Sequence, residues 1–113
     1  MSLSVQALTD ALSVAPQLQP EHLAAVAAAG YRSVINNRPD FEGGPDQPTS
    51  ATMAAAAAAA GLEYRHLPVS GGYQSPEEIE AFAQLLAELP APVLAFCRSG
   101  ARSTKLFVAA QQL

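Results

Sequence analysis

The chain alternates short apolar runs with helix-patterned stretches, and that alternation restricts the fold more than any other feature. Arg32 to Asn37, centred on Val34-Ile35, is one such run; Leu62 to Leu67 and Pro92 to Phe96 are two more, and each has strand length. Before, between and after them lie four helical stretches. Pro20 to about Ala29 is stopped by Gly30, and the alanine-rich Thr49 to Ala60 is ended by Gly61. Ser75-Pro76-Glu77-Glu78 offers a cap, a first-turn proline and a capping-box glutamate, and it starts a helix to about Glu88. That helix carries Ile79, Phe82, Leu85 and Leu86 on one face. Ala101 to Leu113, free of Gly and Pro, is the last. Such a succession implies an α/β fold, with a mostly parallel central sheet and helices on both faces. Val5 to Leu8 and Ala11 to Ala15 flank Thr9-Asp10 and read as an antiparallel edge hairpin. A length of 113 residues makes one domain, 1–113.

In a parallel sheet, sites form at the carboxyl ends of the strands. Three loops follow strands here: Arg38 to Pro48, Pro68 to Tyr73, and the segment opening at Cys97. They are expected to converge on one edge. Cys97-Arg98-Ser99-Gly100-Ala101-Arg102-Ser103 holds the chain's only cysteine, placed between a buried strand and a helix start. A helix N-terminus gathers unpaired N–H groups and favours negative charge. A thiol there ionises well below the ordinary 8.5 or so. A lone cysteine elsewhere would read as a small buried hydrophobe; this position, followed by Arg102 and Ser103, marks a nucleophile. Arg102 offers a planar fork for an oxyanion, and Ser103 is either a donor for the thiolate or an exposed first-turn serine. Arg98, Ser99, Gly100 and Ala101 complete the loop around a bound anion, with Arg98 either adding positive potential there or standing as solvated charge, and Gly100 supplying a conformation that residues with side chains avoid. Arg38 is either a second anion contact or a partner of Asp40 or Glu42 that holds its loop shut. Asp40 is the candidate general acid by its loop position. Glu77 and Glu78 are accounted for by capping. His22 and His66 stand without partner ligands, so no metal site is expected.

Composition narrows the partners. Half of the residues are hydrophobic, 14% are charged and the net charge is −4, which argues against general nucleic-acid or membrane-surface binding. Anion binding must therefore be local, and a small oxyanion or phosphorylated substrate is the expected partner. A single cysteine excludes an intramolecular disulfide and suits a reducing, cytoplasmic setting. Met1 to Val14 lacks the pattern of a signal peptide, and no apolar run approaches a membrane span. Oligomeric state is not set by these features.

Ser33 to Asp40 with Glu42, Gly61-Leu62 with Tyr64, His66, Pro68 and Val69, and Pro92 to Ser103 run in order through nearly the whole chain. In these blocks the sequence resembles the beta-lactamase-hydrolase-like, phosphatase-like domain family, which lies within the cysteine-phosphatase and rhodanese group and has also been labelled a sulfurtransferase family. The resemblance implies a protein-tyrosine-phosphatase-like fold without a cofactor. It also implies hydrolysis of phosphomonoesters, phosphotyrosine among them, through a phosphocysteine at Cys97. Two departures stand out. The usual tyrosine-phosphatase loop has five residues between Cys and Arg, and this one has four. Many relatives with the longer loop carry their acid in the segment matching Pro68 to Gly72, which here holds no aspartate. Both departures also suit a rhodanese-like sulfurtransferase with a persulfide on Cys97, because a shorter loop loses one N–H and about 3.8 Å of chain. The phosphatase-like hydrolase ranks first.

Overall fold

The computed structural model describes residues 3–113. Five strands form one sheet in the order β1-β2-β5-β3-β4: β1 Gln6–Ala7, β2 Leu12–Ala15, β3 Ser33–Asn36, β4 Glu63–His66 and β5 Val93–Phe96. Only the β1–β2 pair is antiparallel; β2, β5, β3 and β4 run parallel, so their carboxyl ends share one edge. Thr9 Oγ1 closes the hairpin turn by accepting the N–H groups of Ala11 and Leu12, at 3.0 and 3.1 Å. The hairpin is shorter than the pattern of Val5 to Leu8 suggests. Both β1 residues are exposed, and an unburied strand loses the packing that makes pairing persist.

Four helices cover the sheet: α1 Leu23–Ala28, α2 Ser50–Ala59, α3 Pro76–Glu88 and α4 Ala101–Ala110. The first helical stretch begins as a 3₁₀ turn, Pro20–His22, where His22 Nδ1 accepts the Gln19 N–H at 2.9 Å. Alternation along the strands divides the core in two. Val34, Leu94 and Phe96 pack with Leu23 and Val26 of α1 and Met53 and Ala57 of α2. Ile35, Val93 and Ala95 pack with Phe82 of α3 and Leu106 of α4. The alanine run thus buries only a narrow stripe four residues apart, whereas α3 sinks Phe82 completely and leaves Ile79, Leu85 and Leu86 half-buried. α4 stops at Ala110, short of Leu113. Among the described residues no helix is long and apolar enough to cross a membrane. β5, fully buried between β2 and β3, delivers the chain to Cys97 at the centre of the shared edge.

Candidate active site

Cys97 leaves β5 and the chain enters α4 four residues later. Gly100 makes this turn as the N-cap of α4, at φ +93°, where a Cβ would be strained. The Cys97 side chain is buried, and the Gly100 N–H lies 3.0 Å from Sγ. Burial pushes the thiol up in pKa. The Ser103 N–H and hydroxyl, with the N–H groups of Gly100 and Ser99, more than offset it and hold Cys97 below its ordinary value. The lowering comes from this ring of donors, and Arg102 is not among its causes. Ser99 Oγ accepts the Ala101 N–H at 3.3 Å, and Thr104 Oγ1 donates to the Gly100 carbonyl at 2.9 Å, so the loop is braced from both sides. Arg98 is exposed; its carbonyl accepts the Gln17 N–H at 3.2 Å.

Arg102, on the first turn of α4, is where the other loops meet. Its Nη1 donates to the Val69 carbonyl and to Glu42 Oε2, each at 3.1 Å, and its Nη2 donates to Glu42 Oε1 at 3.1 Å. A Cβ on Gly71 would stand 3.1 Å from Nη2, so the loop after β4 packs directly on the guanidinium. Nε is buried with no partner. A buried donor left unpaired costs roughly 1–3 kcal/mol, and an oxyanion oxygen beside the guanidinium edge would satisfy it. Arg102 therefore gives its fork to Glu42 and leaves Nε without a partner.

Glu42 links the two arginines, since Arg38 Nε also donates to its Oε1 at 2.9 Å. Burial raises the Glu42 carboxyl, but bonds from Arg102 and then Arg38 outweigh that and hold it below its ordinary 4.5. Arg38 is 8% exposed, packs against Gly43 and donates from Nη1 to Gln17 Oε1 at 3.1 Å. It pairs with Glu42 and not with Asp40. Asp40 is exposed, and its Oδ1 accepts the Ser50 N–H at 2.8 Å, at the first residue of α2. Phe41 separates these carboxylates with φ +64°, a left-handed conformation rare for a bulky residue. That kink turns Asp40 toward α2 and Glu42 toward the arginines.

Two contributors were not assigned a role from the sequence. Gln17, after β2, adds a fourth strand-end loop to the three expected. Asn37 is completely buried; its Oδ1 accepts the Ser103 hydroxyl at 2.9 Å and its Nδ2 donates to the Leu67 carbonyl at 3.0 Å. The signal was a polar residue ending a buried strand, since a fully buried amide must have partners. His66 Nε2 bonds the Arg38 carbonyl at 2.9 Å, so both histidines serve the backbone. Among the described residues no three His, Cys, Asp or Glu side chains gather as a metal site.

The profile of the beta-lactamase hydrolase-like protein, phosphatase-like domain, matches residues 4–113. A beta-lactamase hydrolase-like protein of Agrobacterium fabrum is 38% identical over 106 residues, 94% of this chain and 24% of its own length. One of Xylella fastidiosa is 37% identical over 100 residues, 88% of this chain and 23% of its own. The chain thus spans about a quarter of the length of these curated relatives. A solved candidate phosphatase of Neisseria meningitidis superposes with a TM-score of 0.86 at 32% identity, over 94% of this chain and 75% of that one. Pseudomonas aeruginosa TpbA in complex with pTyr shares the fold, with a TM-score of 0.68 at 16% identity, over 95% of this chain and 60% of that one.

Proposed function

The chain belongs to the phosphatase-like domain family of beta-lactamase hydrolase-like proteins, and from that premise we propose that it is a cysteine-dependent phosphomonoester hydrolase with Cys97 as nucleophile. The observation that carries this reading is a thiol that hydrogen-bond donors hold toward its anion just before α4, whose first turn carries Arg102 with its Nε unpartnered. The thiolate attacks phosphorus, and an S–P bond forms as the P–O bond to the leaving group breaks. The departing electron pair stays on that oxygen. Loop N–H groups and Arg102 hold the remaining phosphoryl oxygens. Water then attacks phosphorus, the S–P electron pair returns to sulfur, and inorganic phosphate departs. Asp40 is the proposed proton donor to the leaving oxygen, a role that requires it to release the Ser50 N–H. No carboxylate lies in the 67–75 loop over Arg102. Aryl phosphates are the proposed substrates, phosphotyrosine included, because a phenol of pKa about 10 leaves more readily than an alkanol and still gains from a positioned proton donor.

A second reading is favoured by the same acid-poor loop and by the four residues between Cys97 and Arg102. In a sulfurtransferase, the thiolate attacks the sulfane sulfur of thiosulfate. An S–S bond forms on Cys97 as sulfite leaves with the electron pair of the broken bond, and cyanide or another thiophile then takes the sulfur. Neither step needs an acid. Aryl phosphate hydrolysis and thiocyanate formation, measured side by side on one preparation, decide between them. The first proposal expects phosphate release that Cys97→Ser abolishes. Thiocyanate formation without phosphate release would reverse the ranking.

A further inference from the structure

The two edges of the sheet are built differently. β4, at one edge, carries Glu63 and Arg65, both exposed and paired at 3.7 Å. Charged side chains on an outer strand discourage a further strand from pairing there. β1, at the other edge, lies within Leu3 to Thr9, a stretch with no charged residue and no proline. The Leu8 N–H bonds the Leu12 carbonyl at 2.9 Å, and in an antiparallel ladder such pairs recur at every second residue. Gln6 therefore bonds inward to Val14, while the N–H and C=O groups of Val5 and Ala7 face outward. We propose that this edge pairs with the same edge of a second copy of the chain, joining two five-stranded sheets about a twofold axis.

The register follows from which backbone groups are free. Val5 of one copy lies opposite Ala7 of the other, Ala7 opposite Val5, and Gln6 opposite Gln6 on the axis. The two outer pairs each exchange both of their N–H···O=C bonds. Side chains alternate across a strand, so Val5 and Ala7 share the α1 face of the sheet and Gln6 lies on the α4 face. The α1 face is open beside β1, where a groove of about 570 Å³ is lined by Ala7, Ser13 and Ala25, all small. Val5 is 41% exposed, and the pairing sets its isopropyl group against the small Ala7 of the other copy, beside that groove. The twofold repeats this large-against-small contact at both ends of the seam. On the other face the two Gln6 amides meet, and each can donate to and accept from its twin. Among the described residues, the only charged side chain bordering the grooves on either face of β1 is Asp10, in the hairpin turn. The Val5 to Ala7 seam thus brings no like charges together, and its large, small and amide positions complement themselves under a twofold. This association is independent of the chemistry at Cys97.

Sedimentation of the wild type over a wide concentration range tests the proposal. A short seam falls among the weak interfaces, which bury less than about 1,200 Å² in total. The dimer should therefore accumulate only as concentration rises through the micromolar range toward millimolar. Gln6 is exposed, so Gln6→Lys and Gln6→Glu leave the fold intact. Each alone sets like charges opposite one another and should raise the dissociation constant roughly tenfold at low salt. An equimolar mixture of the two should recover association, because the charges then attract. Ala7→Pro removes an N–H that the monomer leaves facing outward, and it should abolish the dimer; should that variant not fold, the two Gln6 variants decide by themselves. Arg65→Ala, on the opposite edge, should change nothing. A wild type that stays monomeric at every concentration leaves the edge to a strand of some other chain and overturns the proposal. A dimer untouched by both Gln6 variants, a mixture that does not recover it, or its loss in Arg65→Ala would place the contact elsewhere and overturn it equally.

Discussion

Glu42 shows how a single carboxylate shapes the site without taking part in bond making. It accepts from three guanidinium nitrogens on two arginines, and its side chain remains 29% exposed. Glu42→Gln keeps the shape but loses the charge, and it should cost roughly 1–2 kcal/mol after allowance for that exposure. The sign with pH follows from the direction of the shift. An unfolded glutamate titrates near 4.5 and the folded one lower, so the stabilising increment is complete above 4.5 and is lost as pH falls through the folded value. Denaturant unfolding of both proteins across pH should give a constant gap above that point, closing in more acid solution. A gap unchanged down to pH 2 would mean that packing, and not charge, carries the contribution. From the sequence Arg38 could be paired with Asp40 or Glu42 without a choice between them, and Arg102 with neither, because the Phe41 kink that aims the carboxylate has no glycine or asparagine to announce it.

At the scale of elements, most of the pattern was legible because local chemistry and tertiary packing agree. α3 begins where Ser75, Pro76 and Glu78 place it: Ser75 Oγ accepts the Glu78 N–H at 3.1 Å, and the Glu78 carboxylate accepts the Ser75 N–H at 2.8 Å. α2 was legible with its start at Thr49, but its second cap was not, because that cap comes from ten residues upstream. Thr49 Oγ1 accepts the Thr52 N–H at 3.2 Å, while Asp40 takes the Ser50 N–H. A contact across a Gly- and Pro-rich loop leaves no periodic trace. Two roles for Asp40 now make separable predictions. As a cap, Asp40→Asn should change stability by no more than a few tenths of a kcal/mol, because asparagine caps about as well. As the acid, the same change should slow hydrolysis of phenyl phosphate about 10²–10⁴-fold and slow a nitrophenyl ester much less. Equal rates for wild type and variant on both esters would leave Asp40 as a cap alone.

For the molecule as a whole, the parallel sheet and the meeting of strand-end loops could be read from strand–helix alternation, since handed connections leave few arrangements. What joins the loops could not, because the partners lie far apart in sequence: Arg102 and Glu42 are separated by 60 positions, Ser103 and Asn37 by 66. The loops after β3 and β4 are both fastened to one guanidinium on α4, the one proposed to hold the oxyanion. Ligand capture is thus written into the melting behaviour of the entire domain. An oxyanion that binds only the assembled loops stabilises the fold by mass action, by about 2.7 kcal/mol at a hundredfold excess over Kd. For a chain of this size that is a rise in Tm of roughly 10 °C. A thermal titration with vanadate, phosphate, sulfate and thiosulfate would therefore rank the anions before any turnover is measured. In Arg102→Ala the curves should stay flat; an undiminished rise there would place the anion elsewhere on the protein.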